Sequence, residues 1–279
     1  MRHRDMAFPS NYQHWFVRTP AVNILRRLFE NRFWSVTGQK KQLNRVSAFN
    51  RFLFRPEETY RMWNYLAGPD IDFSGDFLRD VTGSRDRIRL IRRYFHKMVK
   101  YQGKKRLAFK ITGPSRISYL SSIFPDARFV YISRGDIPTI NSLLLVKFWK
   151  ERGYSRLWWN GVYSDAEKKW ADQNSDSPAL LTALQIRKLN EITREELVKH
   201  RPACIEVRYE DFVEDPEAVL ERILHFLDLE KGAENCRDYL SVNKIHKTSR
   251  PNHDLLAENL EEVKKILGEA DNQSNDAVQ

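Results

Sequence analysis

The chain has 279 residues, 41% of them hydrophobic and 12% aromatic, enough for a substantial core in one domain; its two cysteines, Cys204 and Cys236, exclude a disulfide framework or a cysteine-rich metal site. No apolar run reaches the ~18 residues of a membrane span and the N-terminus lacks a secretory h-region, so a cytoplasmic protein is expected. The net charge of +10 calls for an anionic partner. No helix-turn-helix, zinc-finger or aromatic RNA-binding signature accompanies that charge, and the basic residues look scattered among acids rather than gathered in one stripe, so nucleic acid is not the expected partner.

In chain order, the first predicted element is an amphipathic helix over Asn23 to Phe33, with Ile24, Leu25, Leu28 and Phe29 on its inner face. Helices follow at Glu57 to Tyr65 and at Asp86 to Val99, the latter with Ile88, Ile91, Tyr94, Phe95 and Met98 inward. Leu107 to Ile111 reads as an apolar strand ending near Lys110. Residues Phe109 to Leu144 then spell a βαβα unit. Its second strand, Arg128 to Ser133, is apolar and β-branched in the manner of a strand buried on both faces. Trp149, Trp158, Trp159 and Trp170 read as core or lid packing. Ala179 to Lys199 is a long helix whose Leu180, Leu184 and Ile192 are expected against the sheet, and Ala203 to Val207 is a further strand. Pro216 starts a helix behind the cap Asp215, with Leu220, Ile223, Leu224 and Leu227 inward. The last residues, from Asp271, lack apolar anchors and should fray.

Open parallel sheets bind ligands beyond the carboxyl ends of their strands, where the next helix presents free N–H groups and its positive dipole end. Arg134 leaves its strand at that edge beside Gly135 and Asp136, and Ser142 follows in the opening turns of the next helix. Taken singly, they read as a surface cation and a polar residue on an exposed helix face. Together they read as an anion site, with phosphate the natural occupant.

The run Lys110, Thr112-Gly113-Pro114-Ser115-Arg116, Ile123-Phe124-Pro125-Asp126-Ala127-Arg128-Phe129, Arg134 and Asn141-Ser142 resembles the sulfotransferase family, especially its bacterial branch. Arg208-Tyr209-Glu210-Asp211-Phe212 with Asp215-Pro216 resembles a later strand end and capped helix of that family, and Phe54-Arg55-Pro56-Glu57-Glu58 a motif bordering its acceptor pocket. The resemblance implies a P-loop-NTPase-like, three-layer α/β fold with a central parallel sheet, as a single domain over 1–268 with a disordered tail at 269–279. It further implies transfer of a sulfuryl group from 3′-phosphoadenosine 5′-phosphosulfate (PAPS) to a hydroxyl or amine acceptor, without a metal.

On that resemblance Arg134 and Ser142 bind the 3′-phosphate of PAPS, Tyr209 lies near the adenine, and Lys247 and Arg250 come from a late basic loop that returns to the 3′-phosphate. Tyr209 alone reads equally as an aromatic cap on the core with a wet hydroxyl, and the late run reads as a solvated charge cluster. Lys110 matches a family lysine beside the leaving phosphate, and otherwise reads as a strand-end lysine reaching for water. Many relatives carry His two positions later, where this chain has Thr112, a poor base; Glu58 is the substitute candidate for the catalytic base, and otherwise reads as a first-turn helix acid. No segment matches the family's phosphosulfate-binding loop, whose backbone N–H groups cradle the sulfated phosphate. The expectation is therefore either a start assigned too late or a chain lacking its first strand and that loop, inactive as written. The alternative reading is a non-catalytic nucleotide-binding or scaffold protein that keeps the 3′-phosphate half-site.

Overall fold

Among the described residues, two short ladders of parallel strands are formed. The computed structural model describes residues 2–31, 33, 35, 52–243, 245 and 251–275, with side chains to residue 268. β1 (Met6–Ala7) pairs with β2 (Arg106–Leu107), and β3 (Arg128–Ser133) pairs with β4 (Ala203–Arg208) in register from Arg128 opposite Ala203 to Ser133 opposite Arg208. The N-terminal helices are α1 (Asn11–Trp15), a 3₁₀ turn (Pro20–Leu25), α2 (Arg26–Phe29), α3 (Tyr60–Ala67) and α4 (Arg85–Gln102). After β2 come α5 (Ile117–Ile123), then, after β3, α6 (Asp136–Leu144), α7 (Lys147–Arg152), α8 (Asp165–Gln173) and α9 (Pro178–His200). β4 runs directly into α10 (Tyr209–Glu214) and α11 (Pro216–Phe226), followed by α12 (Glu234–Val242), α13 (Asp254–Glu258) and α14 (Leu260–Asn275), a helix that extends into the tail expected to fray.

Period-two alternation puts helices on both faces of the first ladder. Leu107, with Phe109 and Ile111 beyond it, packs on the cluster of Trp63, Ile91, Phe95 and Tyr119 supplied by α3, α4 and α5. Met6 and Ala108 meet Leu220 and Leu224 of α11 on the opposite side. The C-terminus of α11 also joins the two ladders. Arg106 of β2 donates from Nη1 to the Leu227 carbonyl at 2.6 Å, and Arg128 of β3 donates to the Phe226 carbonyl, placing two cations where the helix dipole is negative. Among the described residues no helix is long and apolar enough to cross a membrane.

Three sequence expectations are corrected by packing. The strand read as Leu107 to Ile111 is paired only at Arg106–Leu107. β3, expected to be buried on both faces, sends Phe129 into the α3/α4/α5 core but leaves Ile132, on the other face, 64% exposed; among the described residues β3 pairs only with β4. Leu180 and Ile192 of α9 pack against Ile140 and Leu144 of α6 and against Trp149 and Trp159, not against the sheet.

The largest inversion lies at Asn23 to Phe33, where an amphipathic helix with an apolar inner face was expected. The chain forms only the 3₁₀ turn and α2, with Ile24 and Leu28 51% and 64% exposed, and buries Asn23 and Arg26 instead. A polar network explains this. Gln102 accepts from Phe8 N–H (3.2 Å) and from Arg26 Nη1 (2.7 Å), and its amide donates to the Phe8 carbonyl and to Asn23 Oδ1, both at 2.7 Å. Asn23 in turn donates to Gln13 Oε1 at 2.6 Å. A buried network with every member satisfied outcompetes the burial of two aliphatic side chains because each unpaired member would cost about 1–3 kcal/mol.

A second buried polar contact sets α5. Glu196, 1% exposed on α9, accepts the Ser115 hydroxyl and the N–H groups of Ile117 (3.2 Å) and Ser118 (3.3 Å), so its carboxylate satisfies the start of α5 from another helix.

Glu30 closes the first network with Arg26 at 2.7 Å and Lys104 at 2.6 Å. Burial alone would push its carboxyl up, but the two cations outweigh it and hold the carboxyl below its ordinary range. A carboxyl lowered in the folded state contributes stability above its unfolded pKa and loses it as pH falls through the folded value. Glu30→Gln should therefore lower stability by about 1–3 kcal/mol at neutral pH, with the difference shrinking toward zero below about pH 3. Urea denaturation of both proteins at the two pH values checks this, and an undiminished difference in acid would contradict it.

Candidate active site

Parallel registration brings the ends of β3 and β4 to one edge, so the residues that leave them, Arg134 and Tyr209, come face to face. The Arg134 guanidinium carbon lies 4.8 Å from the Tyr209 ring centroid, a cation–π contact. Arg134 makes no hydrogen bond or ion pair among the described residues, so its donors stay available on the ring face. The Gly135 N–H donates to Glu210 Oε1 at 3.1 Å. That backbone contact, with Glu210's own N–H and the charges of Arg208 and Arg134, holds the Glu210 carboxyl below its usual range. The helix start thus offers an anion less than the sequence suggested: Gly135 is engaged by a carboxylate, and Pro138 has no N–H to give.

α6 is set from two directions. Asn190 of α9 donates to Asp136 Oδ1 at 2.7 Å at its start. Further along, the buried Asn141 donates to the Pro251 carbonyl (3.1 Å) and accepts from His253 N–H (2.7 Å), so the chain after Arg250 is pinned beside the half-buried Ser142. Lys247 and Arg250 themselves lie outside the described residues. No hydrogen bond joins Arg134 to Ser142 among the described residues.

A second cluster collects Glu58 and Lys110. The 54–58 segment lies antiparallel on Pro9 to Asn11, with Glu57 N–H donating to the Pro9 carbonyl at 2.9 Å and Asn11 N–H to the Arg55 carbonyl at 3.1 Å. Thr59 then turns the chain in the left-handed region, φ 51°, which a β-branched residue adopts rarely, so α3 begins at Tyr60. Glu58 therefore precedes the helix rather than sitting in its first turn. Its Oε1 pairs with Lys110 Nζ at 2.9 Å, and its Oε2 accepts from the Thr112 hydroxyl at 2.8 Å. Lys110 is 64% exposed but tethered to this carboxylate rather than reaching freely for water.

Thr112 is held in its turn by Tyr60, whose hydroxyl donates to the Thr112 carbonyl (2.8 Å) and accepts its N–H (3.0 Å). Beneath them Arg116, 2% exposed, donates to the carbonyls of Phe73 and Pro114 with its guanidinium 4.8 Å from the Phe73 ring centroid. Burial pulls it down to about 10, against the opposing pull of Tyr60, Asp72, Asp76 and Glu58. In the sequence Arg116, Glu210 and Asn141 stand within the motifs of the resemblance with no role assigned to them, and Tyr60 is not singled out. The available signal was position: Tyr60 stands two residues after Glu58, and Asn141 and Glu210 adjoin Ser142 and Tyr209.

The family model described as Sulfotransferase family matches residues 37–233, more than half of the chain. The chain belongs to the sulfotransferase family. The match contains Glu58, Lys110, Arg134, Ser142 and Tyr209, while Lys247 and Arg250 fall beyond it. No curated protein and no solved structure matches the chain significantly. A sulfotransferase is a transferase that needs a nucleotide donor and an acceptor.

The Tyr60 phenol reports on the second cluster. Burial raises its pKa above the ordinary value first, and the Glu58 charge raises it further. Glu58→Gln should move the Tyr60 titration downward while leaving it above an exposed tyrosine, because burial remains. Following the labelled ring carbon of Tyr60 by NMR through alkaline pH checks this; an unmoved midpoint would place Glu58 away from Tyr60 in solution.

Proposed function

We propose that this chain transfers a sulfuryl group from PAPS to a hydroxyl or amine acceptor, on a P-loop-like three-layer scaffold. The observation that carries the reading is Arg134, a guanidinium without an ion pair among the described residues, at the end of a parallel strand, stacked on Tyr209 and followed by α6. A planar guanidinium grips a phosphate bidentately, and Ser142 supplies a hydroxyl from the helix that Arg134 precedes. Tyr209 presents a ring against which an adenine edge would pack. In this reading Lys247 and Arg250, outside the described residues, complete the 3′-phosphate contacts, and Asn141 anchors Pro251 just after them in the chain.

The chemistry is an in-line displacement at sulfur, driven by positioning and by charge stabilisation on the leaving phosphate. The acceptor oxygen or nitrogen forms its bond to sulfur as the bond from sulfur to the 5′-phosphate oxygen breaks, releasing 3′,5′-adenosine bisphosphate. Glu58 takes the acceptor proton on the oxygen that Lys110 now occupies, while Thr112 holds the other oxygen in place. Lys110, on a flexible stem, turns to the leaving oxygen and offsets its growing charge. Thr112 thus acts through Glu58 where many relatives use a histidine.

Two measurements separate binding from transfer. Arg134→Ala should weaken 3′,5′-adenosine bisphosphate binding by about 1.5–3 kcal/mol in calorimetric titration, the loss of a charge-assisted contact. Unchanged affinity would remove Arg134 from the site. Glu58→Gln should leave that affinity intact and lower PAPS turnover by about 10²–10⁴. Tight binding with no turnover in the unsubstituted chain would favour a nucleotide-binding protein over an enzyme.

A further inference from the structure

Of the 47 basic residues that look scattered in the sequence, seven fall on one helix, α4. α4 buries Ile91, Tyr94, Phe95, Met98 and Gln102 against the core. Turning about 100° per residue, the helix places Arg85, Arg89, Arg92, Arg93, Lys97 and Lys100 opposite that face, within an arc of roughly 140° and a length of about 22 Å. All six are exposed. Rows at four-residue spacing, Arg85-Arg89-Arg93-Lys97 and Arg92-His96-Lys100, run side by side along the helix. The one acid of the helix, Asp86, pairs with Arg89 at 3.5 Å, and among the described residues the other five cations have no ion pair. Like charges at four-residue spacing destabilise an isolated helix, so this face is held by its buried side and not by its own pairing.

The neighbouring segment adds apolar surface. The 3₁₀ turn packs along α4, Arg27 of α2 donates from Nη2 to the Lys100 carbonyl at 2.8 Å, and in this same segment Ile24 and Leu28 are 51% and 64% exposed. Leu90, on the edge of the cationic arc, is 37% exposed. A row of cations on a convex helix fits any polyanion, but exposed aliphatic side chains beside it are rewarded by a bilayer and not by a soluble chain of phosphates or sulfates. Among the described residues the arc carries no Phe, Tyr or Trp on which bases could stack, its one ring being His96.

The geometry points to the outer face of α4, with Ile24 and Leu28, as a peripheral docking surface for an acidic phospholipid bilayer. Cosedimentation of the full chain with phosphatidylcholine vesicles containing about 30% phosphatidylserine tests this at an ionic strength of about 0.1 M. Binding should require the acidic lipid. Each cation near an anionic surface contributes about fivefold, so replacing Arg85, Arg89, Arg93 and Lys97 by Gln should weaken binding several hundredfold. The double substitution R89Q with R93Q should weaken it about 25-fold, which keeps the test valid if the fourfold variant is poorly folded. Replacing Lys147, Lys150, Lys168 and Lys169 by Gln removes the same charge from α7 and α8 and should leave binding within about threefold, since that charge lies off the docking face. Equal sedimentation with neutral vesicles overturns the proposal, as does equal loss in the α7 and α8 variant. Failure to bind vesicles, with α4-dependent binding to heparin or duplex DNA, replaces the bilayer with a soluble polyanion.

Discussion

The in-register parallel ladder between β3 and β4 is the constraint on which the cluster of Arg134, Tyr209 and Glu210 rests. Because Ser133 pairs with Arg208, the chain leaves both strands at one level, and the next residues in each have to share the same edge. Arg134 and Tyr209 stack as a result, and Glu210 reaches back to the Gly135 N–H. A slip of one residue would send Arg134 to the opposite face, since side chains alternate along a strand. α6 then starts at a fixed point, and through Asn141 it determines where the chain at Pro251 comes back.

The cluster of Glu58, Lys110 and Thr112 depends on buried polar contacts of a different kind. The Gln102, Asn23 and Arg26 network fastens the N-terminal segment, including Phe8, to α4. The same segment, through Pro9 and Asn11, lays out the strand-like run that ends at Glu58. Thr59 supplies the turn, at the cost of an uncommon backbone conformation, and Lys110 and Thr112 arrive from the far end of the first ladder to hold both carboxylate oxygens. Conformational strain beside a carboxylate whose two oxygens have different partners is the arrangement expected where orientation matters more than stability.

Positive charge is used differently in different places. Arg116 is buried and structural, Arg134 stands ready at a strand end, and Lys110 is tied to Glu58. Much of the rest of the net +10 is carried outward on α4, where burial of the opposite face offsets the repulsion of the row. The same helix therefore supplies core, network and charged exterior.

Much of this was legible in the sequence where a pattern is local. The long amphipathic helices, the strands at 128–133 and 203–208, and the Asp215 cap follow from periodicity and capping chemistry, and the motifs around Lys110, Arg134 and Tyr209 point to the sulfotransferase family that the chain proves to belong to. What the sequence could not convey depends on partners distant along the chain. Hydrophobic pattern put Ile24 and Leu28 inside, but Gln102, some eighty residues away, draws Asn23 and Arg26 in their place. The ion pair of Glu58 with Lys110 and the Tyr60 support of Thr112 were decided by the tertiary structure alone. Each needs a register between elements or the orientation of a helix against a core, and neither is written in the spacing of residues along the chain.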